Sequence, residues 1–189
     1  MADIREIMEG DTARAAEAML VLRPRFKTAD AVIDFIDTKL RPTGYRLVGA
    51  FAHSSGSAVS IVGFRELWST AWGHSMYLDD VSTLQIARGN GFADELLRWV
   101  IADAKRRRCE AVHLDSGVGS DRAAAHRLYM RNRLRISAHH FSLEVDSRRN
   151  PRMHCGCTVV NDGNRFRRFG SSPHIGLERS FGAAQLHCA

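Results

Sequence analysis

Apolar residues along the first 40 positions recur at helical spacing after one short alternating run. The alternating run, residues 2–7, predicts a first strand, and the helical spacing predicts helices over 11–22 and 28–40. Small polar residues precede both helices, as N-caps do. The predicted caps are Asp11 or Thr12 for the first helix and Thr28 for the second.

The period then shortens to that of β-strands. Three runs rich in Val, Ile, Tyr and Phe, at 45–52, 58–67 and 73–84, predict three strands of an antiparallel meander. Residues 53–57, His-Ser-Ser-Gly-Ser, predict the turn between the first two strands.

After the meander, helical and strand patterns alternate. The sequence predicts a helix over 91–107, a strand over 111–116, a helix near 121–132 and a strand over 134–145. A strand–helix–strand unit of this length joins parallel strands by a right-handed crossover. The predicted fold class is therefore α/β, with a mixed sheet that carries helices on its faces.

Composition narrows the class of protein. The chain has 189 residues, 44% hydrophobic and 25% charged, which is typical of one globular domain with a substantial core. It contains no run of 18 apolar residues and no apolar signal core at its start, so we predict neither a membrane span nor secretion. With four cysteines and no signal peptide, a reducing cytoplasm is the predicted location.

The net charge of +6 is concentrated at one end of the chain. Residues 1–146 hold 20 Lys and Arg against 19 Asp and Glu, whereas residues 147–189 hold 7 against 2. The second segment has no sustained period and is rich in Gly, Ser and Asn, so we predict a poorly ordered basic tail. A nucleic-acid partner, which the charge alone would suggest, could bind only this tail.

A glycine-rich turn leads into the helix predicted over 91–107. In that helix Phe92, Leu96, Val100 and Ala104 form one apolar row, so the helix begins near Gly91. Glycines at such a start let backbone N–H groups converge at the positive end of the helix dipole, and an arginine adds a full charge. The turn predicts an anion site of pyrophosphate size, with a simple strand-to-helix turn as the alternative. Its residues are Arg88, Gly89, Asn90, Gly91, Phe92 and Ala93.

The phosphate-binding motifs of two large classes are absent from this turn. The spacing does not match the P-loop, and Asp94 stands where the Rossmann fingerprint requires Gly or Ala. Arg88, Gly91 and Ala93 do match the Gln/Arg-x-x-Gly-x-Gly/Ala loop of another family. With this loop, the order of elements and the later run Ala-Ala-Ala-His-Arg-Leu-Tyr over 123–129, the chain resembles the GNAT superfamily of N-acetyltransferases.

The resemblance implies a fold and an activity. The implied fold is a mixed, mostly antiparallel sheet flanked by helices, with a parallel strand pair around an acetyl-CoA cleft. The implied activity is transfer of an acetyl group from acetyl-CoA to a primary amine by direct attack. Residues 1–146 would form the N-acetyltransferase domain, and the tail over 147–189 has no counterpart in the family.

The resemblance also assigns roles to residues. Asp79 would be the general base, Tyr129 the general acid, and the turn from Arg88 to Ala93 the pyrophosphate site. Backbone groups of Thr83 and Leu84 would hold the pantetheine arm. The chain departs from the family at Arg133, where the family has a glycine that is free to adopt positive φ.

Several alternatives remain open at this stage. Asp79 and Asp80 are adjacent, so in a regular strand at most one faces the cleft, and both could simply be solvated charges. Tyr129 could be a core aromatic. The residues Trp68 and Trp72 could line the acceptor pocket or pack in the core.

No metal site is predicted from the cysteines and histidines. Their spacing matches no zinc motif, and His139 and His140 would point to opposite faces of a strand. The histidines and cysteines concerned are His139, His140, His154, Cys155, Cys157, His187 and Cys188. Cys109 follows a basic run at the end of a predicted helix, which indicates a partly buried structural thiol, with a nucleophile as the alternative.

Two other functions compete with acetyl transfer. The chain could bind an acyl-CoA without catalysis, or it could associate with nucleic acid through its tail. The expected partner is an amine-bearing substrate; membrane and nucleic-acid partners are not expected, and a homodimer is left open.

Overall fold

The computed structural model describes residues 2–53 and 56–145. Five strands form one sheet in the order β1–β2–β3–β4–β5. The first four are antiparallel neighbours, and β4 pairs with β5 in parallel. The meander and the mixed sheet predicted from the sequence are thus confirmed. The strands are β1 (Asp3–Glu6), β2 (Arg46–Phe51), β3 (Ser60–Ser69), β4 (Gly73–Thr83) and β5 (Ala111–Leu114).

Four α-helices flank the sheet. A 3-10 segment, Thr12–Ala15, precedes the first helix, and a π-helical turn, Ile36–Leu40, continues the second. The unit β4–α3–β5 is the predicted strand–helix–strand crossover. The helices are α1 (Ala16–Leu22), α2 (Ala29–Phe35), α3 (Phe92–Arg106) and α4 (Ala123–Arg131).

Only one of the predicted N-caps forms. The Thr28 hydroxyl accepts a hydrogen bond from the Ala31 N–H at 3.2 Å, as predicted. Asp11 makes no capping bond with its side chain, and the Thr12 hydroxyl instead donates to Asp37 at 2.6 Å. A tertiary hydrogen bond to α2's continuation therefore replaces the local cap.

Strand β2 lies between β1 and β3 in the sheet and is buried on both faces. Leu47 and Phe51 pack in the core on the α1–α2 side, whereas Val48 and Ala50 pack in the core on the α3–α4 side. This alternation explains why the strand reads as a continuous apolar run. The two helical layers are held apart by the sheet and each has its own core.

Helix α4 ends in a Schellman motif. The Leu134 N–H donates to the Tyr129 carbonyl at 3.1 Å and the Arg133 N–H to the Met130 carbonyl at 2.9 Å. Arg133 has φ +66°, so it lies in the left-handed region that favours glycine, the residue that the resemblance leads us to expect at this position. The turn therefore forms despite the substitution, at the cost of backbone strain.

The strand predicted over 134–145 is wrong: these residues form no regular structure. The alternation changes phase within the run, because Leu134 and Ile136 occupy even positions and Phe141 and Leu143 odd ones. No single face of a strand could bury both sets. Accordingly Ile136 is 74% exposed and Phe141 is 89% exposed.

The residues up to Ser142 form one compact unit. The predicted basic tail over 147–189 lies outside the described residues, as do two residues of the predicted turn over 53–57. Among the described residues, no helix combines the length and the apolar character that a membrane crossing requires.

Candidate functional site

The two parallel strands separate along β4. Pairing with β5 covers Ser75 to Leu78, but β4 continues to Thr83. In the described part of the chain, the β5-facing backbone edge of residues 79–83 therefore has no strand beside it. A cleft of about 270 Å³, called here the β4–β5 cleft, opens at this point. Its lining includes Leu78, Asp79, Val81, Leu114, Arg122 and Tyr129.

A β-bulge at Asp79 changes the phase of β4. Opposite β3, Gly63 pairs with Asp80 and Phe64 pairs with Leu78, so Asp79 is an extra residue. Before the bulge, Leu78 packs on the α3–α4 side. After it, Asp80 and Ser82 face α1 and α2, since the Ser82 hydroxyl donates to the Ala18 carbonyl at 2.6 Å.

On the other face of the sheet, α1 and α2 enclose a pocket of about 420 Å³. We call it the α1–α2 pocket. One wall is apolar and includes an aromatic pair, Phe26 and Phe35, with ring centroids 5.1 Å apart. The other apolar lining residues are Met19, Val32, Ile36 and Leu40. The polar and charged lining residues are Arg23, Arg25, Thr43, Tyr45, Arg65, Asp79 and Asp80.

Asp80 is fully engaged in this pocket. Its Oδ1 accepts a hydrogen bond from Arg23 Nε at 2.7 Å, and its Oδ2 accepts one from the Tyr45 hydroxyl at 2.8 Å. Burial, together with the negative charge of Asp80, raises the pKa of Tyr45 well above its ordinary value, so Tyr45 stays a neutral donor. Asp80 is thus a structural anchor of the pocket.

Asp79 has a spare oxygen. Its Oδ1 accepts a hydrogen bond from Arg65 at 2.8 Å, but its Oδ2 is buried and has no hydrogen-bond partner among the described residues. Burial raises the pKa of this carboxyl, against the opposing effect of Arg65. Of the two adjacent aspartates, Asp79 lines both cavities, whereas Asp80 lines the α1–α2 pocket alone.

Tyr129 belongs to the core and to the cleft at once. It is 7% exposed and packs with the apolar residues of the α3–α4 side, and it also lines the β4–β5 cleft. Burial raises its pKa, an effect that the nearby Arg122 partly opposes. A neutral phenol bordering the cleft can donate a proton there.

The glycine turn opens toward solvent at the start of α3. Gly89 and Gly91 have φ of +82° and +83°, and a Cβ atom built at either position meets nothing within 4 Å. Gly91 is the N-cap of α3, whose first N–H groups have no acceptor within the helix. Arg88 is exposed, and Asn90 donates to the Ala87 carbonyl at 3.3 Å. Phe92 packs against both cores and so fixes the helix start; Ala93 is half-buried.

Two acidic residues in the first turn of α3 are already engaged. Asp94 pairs with Arg98 and Arg131 and accepts a hydrogen bond from Asn132 at 2.7 Å. Glu95 accepts a hydrogen bond from the Ala2 N–H at 3.1 Å. These contacts offset the negative charge that would otherwise repel an anion at this helix end.

The roles expected for Thr83 and Leu84 use their backbone groups, and Trp68 and Trp72 are expected in a pocket wall or in the core. Thr83 is the last residue of the free edge of β4, whereas Leu84 lies beyond it. The Leu84 N–H donates to the Val59 carbonyl at 2.9 Å, the Leu84 carbonyl accepts from the Ala87 N–H at 2.9 Å, and the side chain packs in the core. Leu84 therefore has no free backbone N–H to offer a ligand, which corrects the role expected for it. Trp68 and Trp72 line neither cavity and are 78% and 50% exposed, so both expectations for them are wrong.

Sequence reasoning missed the charged network of the α1–α2 pocket. Arg23, Tyr45 and Arg65 come from separate elements and share no motif. One signal was available: Gly63, an isolated glycine inside an apolar strand, indicates close approach or a bulge. A Cβ at Gly63 would collide with the Tyr45 hydroxyl.

Comparison with known proteins identifies the family of the chain and gives relatives of its fold. The profile of the acetyltransferase (GNAT) family matches residues 12–133. A ribosomal-protein-alanine N-acetyltransferase from Brucella melitensis has a similar fold, with a TM-score of 0.64 and 17% identity over 77% of this chain and 100% of the other.

Two further solved structures are similar. They are a transcriptional regulator from Bacillus halodurans, with a TM-score of 0.62 and 22% identity over 77% of this chain and 100% of that one, and an acetyltransferase from Trypanosoma brucei, with a TM-score of 0.59 and 20% identity over 77% and 99%. No significant match to a curated protein sequence was found. At these identities the structural matches bear on the fold alone.

Proposed function

Because the chain belongs to the acetyltransferase (GNAT) family, we propose that it transfers an acetyl group from acetyl-CoA to a primary amine by direct attack. The observation that carries the proposal is the position of Asp79, which borders both cavities with a buried, unpartnered oxygen. A donor in the β4–β5 cleft and an acceptor in the α1–α2 pocket would meet beside this carboxylate.

The start of α3 suits the pyrophosphate of acetyl-CoA. The open space in front of Gly89 and Gly91, the free N–H groups of the helix and the charge of Arg88 together form an anion cradle. The free edge of β4 over residues 79–83 can then pair with the amide groups of the pantetheine arm. One of its backbone N–H groups, over residues 81–83, would donate to the thioester oxygen as that oxygen gains charge.

Asp79 would act as the general base. A lysine-like amine has a pKa of about 10.4, so only roughly one in 2,500 is neutral at pH ~7. Its Oδ2, which has no partner to displace, would accept the proton that the amine loses, directly or through a water. The raised pKa makes Asp79 a better base than an exposed aspartate.

Tyr129 would act as the general acid. Acetyl-CoA supplies an acetyl group on a thiol leaving group, and a thiol has a pKa of about 8.5. Because its own raised pKa keeps Tyr129 protonated at neutral pH, its hydroxyl can donate to the departing sulfur. Arg122, which also lines the cleft, would stabilise the phenolate that is left.

The α1–α2 pocket favours an amine on an apolar body. Its aromatic pair and aliphatic residues offer an apolar wall of about the size of an aryl or branched alkyl group. Three arginines and two aspartates line it, so a polycation would meet net repulsion. We therefore propose arylalkyl and branched alkyl amines as acceptors, rather than polyamines.

The first test is calorimetric titration of acetyl-CoA into the full-length protein and into Gly91→Glu. The added carboxylate should abolish binding while the far-UV circular dichroism stays native-like. Gly10→Glu is the matched control, because Gly10 also has positive φ and open space around it but lies far along the chain from the turn. Equal loss of binding in both variants, or no binding by the unsubstituted protein, would remove the basis of the proposal.

The second test measures release of free CoA thiol with a panel of amines. We expect kcat/KM for 2-phenylethylamine to exceed that for spermidine at least tenfold. Acetyl-CoA binding without CoA release for any amine would instead favour a non-catalytic acyl-CoA-binding protein. Preference for the polyamine would retain the transferase and reject the assigned acceptor class.

A further inference from the structure

A second cluster of reactive side chains lies at the opposite end of β4 from the free edge. Its members are Glu66 near the end of β3, His74 at the start of β4 and Cys109 just before β5. All three are partly buried, and one ligand atom from each lies within 4.8 Å of the others. None of the three lines the β4–β5 cleft or the α1–α2 pocket.

Local backbone structure fixes the position of Cys109. Helix α3 ends in a Schellman motif: the Arg108 N–H donates to the Lys105 carbonyl at 3.1 Å and the Cys109 N–H to the Ala104 carbonyl at 2.9 Å. Arg108 supplies the left-handed residue, with φ +61°. This turn directs the chain from α3 into β5 and holds Cys109 against the α3–α4 core.

His74 is also held from several sides. Its backbone N–H donates to Glu110 Oε1 at 3.1 Å, and its carbonyl accepts from the Glu110 N–H at 2.7 Å. The exposed ring of Trp68 stacks on the imidazole, with centroids 4.3 Å apart and planes 4° from parallel. Both the main chain and the ring of His74 are thus fixed before any ligand arrives.

The arrangement does not suit nucleophilic catalysis. In a Cys–His–carboxylate triad the two ring nitrogens of the histidine contact different partners. Here the same atom, His74 Nε2, lies 3.0 Å from Glu66 Oε2 and 3.6 Å from Cys109 Sγ. The three donor atoms converge on one point instead of forming a relay.

We propose that Glu66, His74 and Cys109 form a zinc site with a fourth position open to water. Thiolate, imidazole and carboxylate are the ligands zinc prefers, and tetrahedral zinc sets such atoms roughly 3.3–3.6 Å apart. His74 Nε2 lies 3.0 Å from Glu66 Oε2 and 3.6 Å from Cys109 Sγ, which is close to this geometry, and all three ligand atoms lie within 4.8 Å of one another. Cys109 binds as the thiolate, so its thiol proton passes to solvent as the metal enters.

Arg107 orients the Glu66 carboxylate by binding the oxygen that does not contact His74. It donates from Nη1 to Glu66 Oε1 and from Nε to Asp103 Oδ2 at 3.0 Å. Oε1 is therefore held by Arg107 while Oε2 faces His74, an orientation suited to one metal bond from Glu66. The site is independent of acetyl transfer, and it revises the expectation, drawn from sequence spacing, that the chain binds no metal.

Cobalt(II) titration of the full-length chain tests the proposal. The protein carries Cys155→Ser, Cys157→Ser and Cys188→Ser, so that Cys109 is its only thiol. We expect one equivalent of cobalt to produce thiolate-to-metal charge-transfer absorption, and one equivalent of zinc to abolish it. Absence of this absorption at a saturating cobalt concentration would overturn the assignment.

Ligand variants in the same background locate the metal. Cys109→Ser should remove the charge-transfer absorption, and His74→Gln should weaken zinc binding more than about 100-fold. His113→Gln is the matched control, since His113 stacks on Trp72 at 4.5 Å outside the cluster. Unchanged zinc affinity in both ligand variants would overturn the proposal.

A third measurement uses no ligand variant, so misfolding of a variant cannot affect its result. Zinc should slow the reaction of Cys109 with a thiol reagent at least tenfold, and a chelator should restore the original rate. An identical rate with and without zinc would count against coordination by Cys109.

Discussion

The turn before α3 and the α1–α2 pocket are built in opposite ways. The turn is six consecutive residues, and the anion site that we propose there would consist of backbone N–H groups, two positive-φ glycines and a helix end. The pocket draws its side chains from α1, α2, β3 and β4 and from the segments that connect α1 to β2. A site made of backbone leaves a local pattern in the sequence, whereas a site made of distant side chains leaves none.

The largest expected effect concerns Asp79 and Asp80, the two aspartates that line the pocket. Asp79→Asn should lower kcat/KM by about 10²–10⁴-fold, because it removes the base but keeps the shape of the side chain. Asp80→Asn should act mainly on the free energy of unfolding, by about 1–3 kcal/mol, since Arg23 and Tyr45 lose their charged partner. Steady-state kinetics and urea denaturation of both variants separate the effects; the reverse pattern would exchange the two roles.

Tyr129→Phe tests the second side chain of the site. The ring keeps its place in the core, so the fold should survive, while loss of the proton donor should lower kcat about 100-fold. The affinity for acetyl-CoA should change little. Tyr77→Phe serves as the control, because Tyr77 lines neither cavity. If kcat is unchanged in Tyr129→Phe, Tyr129 is a core residue only.

Arg88→Ala asks whether the turn depends on any side chain. An exposed charge at a helix end contributes about 0.3–1 kcal/mol, so acetyl-CoA binding should weaken only about two- to fivefold in calorimetry. The backbone donors stay in place. A loss of acetyl-CoA affinity of more than 100-fold would show that the turn relies on the Arg88 side chain. The difference between the turn and the pocket would then no longer hold.

The pH dependence of stability tests the electrostatics of Asp79. Burial raises its pKa in the folded protein, so the folded state holds the proton more tightly than the unfolded chain does. The protonated Asp79 carboxyl therefore adds to the free energy of unfolding at low pH. This contribution is lost as the pH rises through the pKa of Asp79 in the folded protein. Asp79→Asn should therefore raise the Tm at pH 7, and the gain should vanish in acid. A Tm that falls at pH 7 would mean that the ion pair with Arg65 dominates.

The smallest expected effect concerns the backbone at the end of α4. Arg133→Gly should stabilise the protein by about 0.5–1 kcal/mol, because glycine adopts positive φ without strain but also enlarges the entropy of the unfolded chain. Thermal unfolding would measure the gain. Arg135→Gly, an exposed neighbour, should give no such gain. Equal shifts of Tm in Arg133→Gly and Arg135→Gly would show that the backbone conformation of Arg133 does not lower the stability.

Most of the fold was readable from the sequence because local patterns determine it. The helix begun by Gly91, the meander and the parallel crossover all follow from apolar period and glycine placement. The strand predicted over 134–145 is wrong because its alternation changes phase within the run, so no single face of a strand could bury all its apolar residues. The adjacent positions Asp79 and Asp80 could not be sorted by alternation, since the bulge lies between regular stretches of β4.

The charged lining of the pocket needed the tertiary structure. Arg23, Tyr45 and Arg65 meet Asp79 and Asp80 only after two helices have packed on the sheet. The same holds for the cluster around His74, whose ligands are separated by 8 and 35 positions. The spacing of residues in a sequence motif predicts metal ligands that lie close together along the chain. It gives no information on Glu66, His74 and Cys109, which come from three separate parts of the chain.

The bulge in β4 has a consequence for how this chain can change over generations. Asp79 is the one residue of the strand that has no counterpart opposite it. Loss of its codon would leave Leu78 and Asp80 paired as before, and the side chains on either side would keep their faces of the sheet. We therefore expect an in-frame deletion of Asp79 to give a well-folded protein without acetyl transfer. If Asp79 is the base that we propose, the deletion of one codon would separate an active transferase from an inactive protein with the same fold.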